Sequence, residues 1–310
     1  MNYSVKIQMG TITVKVDAAD ATLIRTIRQK CKGFLCNKKP DLTVQVKSVK
    51  YTPYRGKEPE LIAFQSCGTI ALSKKKVQAR YIPKKGLFII KIKKMANEST
   101  RNKVFLYAFR LLFGYYLIFN KKGILIHGTG IKHKGSAVIL AGASGYGKSF
   151  WASFFKMNSS FFILNDECIM IEIIKGRIHA FSTIFLGKDE MKPRNGSGIL
   201  QRIYFLPKRD RVVAEKIEGN NHAGCFISML KNSFVASELV RSKSPHNIPG
   251  LQKNYLNIVL KITSEVQCSE LKSLQAESVM SAVKEGLFHK NAGKERNKGK
   301  KSANQKNNSK

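Results

Sequence analysis

Carboxylates are scarce in this chain. Its 310 residues hold 20 Asp and Glu against 55 Lys and Arg, a formal charge of +35. An excess of that size favours an anionic partner, be it nucleic acid, a phosphorylated metabolite or an acidic peptide. Aromatic residues are missing from the lysine clusters at Lys74-Lys75-Lys76, Lys84-Lys85 and Lys91–Lys94. A single-strand stacking platform interleaves the two, so nucleic acid is not the expected partner. There is no CxxC pair among Cys31, Cys36, Cys67, Cys168, Cys225 and Cys268. That scatter lacks the paired spacing of a zinc site and reads as reduced thiols in a cytoplasmic protein. The N-terminus lacks the apolar run of a signal peptide. The longest membrane-like stretch, Val104 to Phe119, is broken by Arg110 and falls short of the ~20 residues that span a bilayer. A helix buried against a sheet is expected there. No internal repeat is visible.

What remains is ordinary for a globular chain, with 43% hydrophobic and 24% charged residues. The exception is 289–310, where seven Lys and one Arg face only Glu295 and polar residues fill the gaps. With nothing to bury, that segment is expected to be a disordered basic tail. Residues 1–96 alternate short apolar runs with polar breaks: Tyr3–Met9, Thr11–Val16, Leu42–Val49, Leu61–Phe64, Thr69–Leu72 and Leu87–Ile92. They predict a small, mainly antiparallel, strand-rich α+β N-terminal domain with one helix, Ala18–Lys32. Asn97-Glu98-Ser99-Thr100 opens a connecting helix over 97–119. A second domain is expected over 120–288. Its predicted strands are Gly123–Ile131, Gly135–Leu140, Phe161–Leu164, Cys168–Ile174, Ile178–Phe181, Leu200–Leu206, Arg211–Ile217 and Leu256–Ile262. Its predicted helices lie at 150–157, 222–242 and 269–287.

One motif carries chemistry. An apolar strand runs into Gly142-Ala143-Ser144-Gly145-Tyr146-Gly147-Lys148-Ser149, a full match to G-x-x-x-x-G-K-[ST]. Composition alone yields that pattern in on the order of one in a hundred chains of this length. The preceding strand and the following helix-compatible segment are the context a phosphate-cradling loop requires. Gly142 and Gly147 permit torsions and close approach that a Cβ forbids. Consecutive N–H groups and the positive end of a helix starting near Lys148 cradle an anion. The Lys148 ammonium reaches β- and γ-phosphates, and the Ser149 hydroxyl ligates Mg²⁺. Such a loop needs an acid. Asp166-Glu167 ends the next predicted strand, 18 residues past Lys148. In a doubly wound sheet these carboxylates divide the work, one orienting Mg²⁺ through water and one accepting a hydroxyl proton, so Ser149, Asp166 and Glu167 are the expected metal residues.

The stretch from His127 to Glu167 resembles the catalytic core of the HPr kinase/phosphorylase family. His127-Gly128 precedes Gly142 by that family's spacing, Ser144-Gly145 repeats the loop's inner pair, and Asp166-Glu167 stands where Asp-Asp is usual. A weaker similarity runs through Gly176-Arg177-Ile178-His179 and Leu200–Leu206, so the resemblance covers about residues 120–285. It is similar in this to the smaller HPr-kinase-like proteins beside peptide-tailoring and metabolic gene clusters. The resemblance implies an α/β P-loop kinase core of the HPr kinase / phosphoenolpyruvate carboxykinase type, ATP and Mg²⁺ as cofactors, and phosphoryl transfer to a serine hydroxyl. It makes Asp166 the general base and His127 a residue lining the phosphate site. On the residues alone His127 reads equally as a satisfied histidine on a buried strand. Glu167 in place of the second Asp lengthens the reach by one methylene. The family's downstream Arg-Glu-Ile-Gly signature is absent, which argues against HPr as acceptor. The expected acceptor is therefore a serine-containing peptide or protein, or a small hydroxylated metabolite. Arg194 and Arg202 are candidates for transition-state charge stabilisation. An alternative reading is a regulatory protein that binds ATP, transfers nothing and grips a polyanion with its basic surface.

Overall fold

The computed structural model describes residues 2–50, 63–65, 69–74, 77–94, 97–158, 160–186, 194–206, 222–235, 250–271 and 275–288. The expected tail at 289–310 and the expected strand Arg211–Ile217 lie outside them. The chain is mixed α/β, with two mixed sheets and six α-helices among the described residues.

The first sheet is built from β1 (Tyr3–Met9), β2 (Ile12–Ala18), β3 (Leu42–Val49), β4 (Ala63–Gln65), β5 (Thr69–Lys74), β6 (Val77–Ile82) and β7 (Leu87–Lys93). Its spatial order is β1-β2-β3-β7-β6-β5-β4. Four of its six strand pairs are antiparallel, as expected, and the exceptions are the parallel pairs β2–β3 and β3–β7. Helix α1 (Ala21–Lys30) is the reason for the first of these. Asp20 caps it by accepting from Thr22 N and Leu23 N, and the helix returns the chain so that β3 runs alongside β2. Strand β6 was hidden in the sequence between lysine clusters, although Val77, Ala79 and Tyr81 alternate inward.

Helix α2 (Glu98–Phe119) is buried on nearly every side: all residues from Leu111 to Ile118 are inside. A helix apolar all round belongs in an interior, and this one packs on β6 and β7 and on the second sheet's first strand. Phe109 shows how the two layers join. It meets Phe88 of the first sheet at 6.3 Å and Phe185 of the second region at 5.4 Å. No described helix is long and apolar enough to cross a membrane.

The second sheet contains β8 (Gly123–His133), β9 (Ser136–Ala141), β10 (Phe162–Asn165), β11 (Cys168–Ile174), β12 (Arg177–Phe181), β13 (Ser197–Phe205) and β14 (Gln267–Glu270). Around it lie α3 (Lys148–Lys156), α4 (His222–Asn232), α5 (Leu251–Glu265) and α6 (Ala276–Phe288). Two expectations are corrected here. The segment Leu256–Ile262 is helical, inside α5, because Leu251, Tyr255, Ile258, Val259 and Ile262 bury at three- and four-residue spacing. The helix expected over 269–287 starts only at Ala276, and its first residues belong to β14, which pairs in parallel with β13.

The sheet differs from a simple doubly wound order, since antiparallel β8 stands between β9 and β10. Its register explains the site. Asn165 lies opposite Gly130 and Cys168 opposite His127. Strands β10 and β11 are thus one continuous partner of β8, interrupted only at Asp166-Glu167. On the other side of β8, β9 ends with Ala141 opposite Gly128. The C-terminal ends of two parallel strands therefore converge on His127–Gly130 from opposite sides.

Candidate phosphate-binding site

The loop 142–147 springs from β9 and closes into α3. Gly145 and Gly147 hold φ of 87° and 86°, a left-handed conformation that side chains resist. A Cβ built on Gly145 meets nothing within 4 Å, so the cradle is open at its tip. Ala143, Ser144 and Gly145 are exposed, Tyr146, Gly147 and Ser149 half-buried, and Gly142 and Lys148 buried. Lys148 lies beneath the loop, where its Nζ donates to the Ala143 carbonyl at 2.7 Å. Burial pushes this ammonium below the ordinary lysine value, while the charges of Glu167 and Asp166 pull it back up. A buried cation tied to a loop carbonyl, under an open glycine cradle, fits a phosphate group. The carbonyl occupies the ammonium in the way phosphate oxygens would.

Three consecutive residues of β8 fasten the parts. The His127 carbonyl accepts from Gly142 N (3.3 Å), and Gly128 N donates to the Glu167 carbonyl (3.2 Å). Thr129 Oγ1 donates to the Lys148 carbonyl at 3.1 Å. One strand thereby sets the start of the loop, the acidic turn and the start of α3 relative to each other.

The acidic turn has its own scaffold. Asn165 is buried, and its Oδ1 accepts from Glu167 N (2.9 Å) and Cys168 N (3.3 Å). Its Nδ2 donates to the Thr183 carbonyl (2.9 Å) and the Phe185 carbonyl (3.3 Å). Thr183 Oγ1 donates in turn to the Cys168 carbonyl at 2.7 Å. The side chain substitutes for the ladder bonds lost where β10 and β11 are interrupted. Asp166 is 3% exposed. Glu167 is half-buried and held on two sides, by His127 Nε2 at 3.1 Å and by an Arg110 guanidinium nitrogen at 3.5 Å. The hydrogen bond from His127, above all, holds its carboxyl below the usual glutamate value, with Arg110 and Lys148 adding to the effect against desolvation.

The structure thus brings together Lys148, Ser149, Asp166, Glu167 and His127, all named from the sequence. His127 faces Glu167 rather than the apolar core. Arg202 is engaged elsewhere, with Glu285 at 2.8 Å and the Tyr204 hydroxyl at 3.0 Å. Arg194 is exposed. Sequence reasoning missed Arg110, Asn165 as a scaffold, Thr129, Thr183 and Phe234. Only Arg110 left a clear signal, as a charge inside an otherwise apolar helix.

A divalent cation would find the Ser149 hydroxyl and the Asp166 carboxylate, the hard oxygen donors it prefers to share with phosphate oxygens. Among the described residues no three His, Cys, Asp or Glu side chains form a metal cage. Comparison of the chain with protein-family models and with curated proteins finds no match.

Proposed function

We propose that this chain is an ATP-dependent phosphotransferase of the HPr-kinase-like type. It moves the γ-phosphoryl group to a serine hydroxyl of a peptide or protein, or to a small hydroxylated metabolite. The observation that carries this reading is Lys148, a buried ammonium under an open glycine loop and within the field of two carboxylates. Lys148 and the loop N–H groups bind and orient the triphosphate. Ser149 and Asp166 would be the protein donors that hold Mg²⁺, which would supply charge neutralisation at the phosphates. Asp166 accepts the hydroxyl proton as the acceptor oxygen attacks the γ-phosphorus and ADP leaves. The second carboxylate does not compete for that proton, because His127 and Arg110 already engage it.

The test is transfer of labelled γ-phosphate to serine-containing candidates across a Mg²⁺ titration, for wild type and Asp166→Asn. A lost general base lowers the rate by ~10²–10⁴ with ATP affinity little changed. If Asp166 chiefly positions the metal, added Mg²⁺ restores much of the rate. Undiminished transfer by Asp166→Asn at every Mg²⁺ level refutes both roles. ATP binding without transfer by the wild type to any acceptor favours the regulatory alternative.

A further inference from the structure

Arg110 has no part in the sequence motif, yet α2 carries it from the molecular interior to the acidic turn. Its guanidinium lies 4.2 Å from the centre of the Phe234 ring, and the His127 ring is 5.4 Å from the same ring. Phe234 is itself fixed, its N donating to the Leu125 carbonyl at 3.3 Å. Arg110 and His127 therefore both pack against one aromatic ring and converge on opposite oxygens of Glu167, Oε1 and Oε2. Arg110 Nε is buried without a hydrogen-bond partner, so stacking and charge hold this side chain rather than a full set of hydrogen bonds.

That arrangement answers a physical difficulty. A phosphate cradle flanked by two carboxylates repels the tetra-anionic nucleotide it has to bind. Asp166 brings one of those charges for a metal or a proton. Glu167 brings another, close enough to act on the Lys148 ammonium. We infer that Arg110 is a positioning and charge-compensating residue for nucleotide binding. It clamps Glu167 against His127 so that this carboxylate is neither a metal ligand nor a repulsive charge at the phosphate cradle. The inference rests on the ATP-binding part of the proposal above and is independent of whether transfer occurs.

The experiment is ATP affinity by calorimetry, in chelator and in Mg²⁺, for wild type, Arg110→Met, Arg110→Met/Glu167→Gln and Lys148→Ala. Without Mg²⁺, Arg110→Met should bind ATP about tenfold more weakly, the scale of one uncompensated charge near a highly charged ligand. The loss should shrink in Mg²⁺, which supplies counter-charge. Adding Glu167→Gln should return affinity to within about twofold of wild type, since the charge needing compensation is gone. A purely structural Arg110 predicts no such rescue. Unchanged affinity in Arg110→Met, or a double variant as weak as the single, overturns the inference. Unchanged affinity in Lys148→Ala, or no wild-type affinity, overturns instead the phosphate-loop reading beneath it. Melting curves accompany each variant. Arg110→Gln, closer in shape, replaces the Met variant if that one is unfolded.

Discussion

The two sheets are built from similar strands, yet they handle polarity differently. In the described part of the first sheet the interior is apolar, and Thr13 is its buried polar residue. Around the second sheet the interior holds Thr129, Lys148, Asn165, Asp166, Glu172, Ser182 and Thr183. Buried polar groups are costly unless partnered, and several of these partner one another or nearby backbone around the loop and the acidic turn. Glu172 belongs to this set for a different reason. It accepts hydrogen bonds from the backbone N–H and the hydroxyl of Thr11, at the tip of the β1–β2 hairpin, and so fastens the two regions together.

The largest expected effect addresses whether the two regions are separable at all. Phe109→Ala empties a site packed against Phe88 on one side and Phe185 on the other, and should cost about 3–5 kcal/mol. Thermal unfolding should stay a single transition at lower temperature. Two resolved transitions would show that the sheets melt independently and that α2 does not couple them.

A second pair of variants contrasts the interiors directly. Asn165→Ala removes both the acceptor for two backbone N–H groups and the donor for two carbonyls, and should cost about 2–3 kcal/mol in denaturant unfolding. Thr13→Ala in the first sheet should cost only about 1 kcal/mol, because its bond to Asp41 runs from the backbone N and survives truncation. Equal costs would remove the distinction between the two interiors.

Lys148→Ala separates binding from folding. ATP affinity should fall by the ~1.5–3 kcal/mol of a charged hydrogen bond, read by calorimetry. An unaltered affinity would mean that the buried lysine is structural, like the polar groups around it.

The smallest effect concerns acid. The folded-state carboxyl of Glu167 is held low, first by the hydrogen bond from His127. Its contribution to stability is therefore present above the ordinary glutamate value and is lost as pH falls through the lowered folded value. His127→Ala should shrink that contribution, so that the variant loses less stability than wild type on going from neutral pH into the acid range. Parallel stability–pH curves for the two proteins would remove His127 as the partner that matters.

Much of this was legible in the sequence for local reasons. The glycine-rich turn into α3 was readable because its requirements sit within eight residues: glycines where φ is positive, then a lysine and a hydroxyl at the start of a helix. The long buried helix was readable because its apolar run exceeds what one face needs. Helix α5 was misread as a strand from the short run Leu256–Ile262, whose helical spacing emerges only with Leu251 and Tyr255. Strand order was not legible, because the parallel β2–β3 and β3–β7 pairs depend on where the chain crosses between them, and crossovers leave no local signature.

What the sequence determined by itself is the chemistry available at the loop and the acidic pair. What only the tertiary structure decided is how the two carboxylates differ. The register of β8 against β10 and β11 places the Asp166-Glu167 interruption beside the loop. Helix α2 and β8, from remote parts of the chain, then bring Arg110 and His127 onto Glu167, with Phe234 packed against both. The two residues are adjacent in sequence and chemically alike, so no local pattern separates them. The partners that engage Glu167 arrive from elsewhere in the fold.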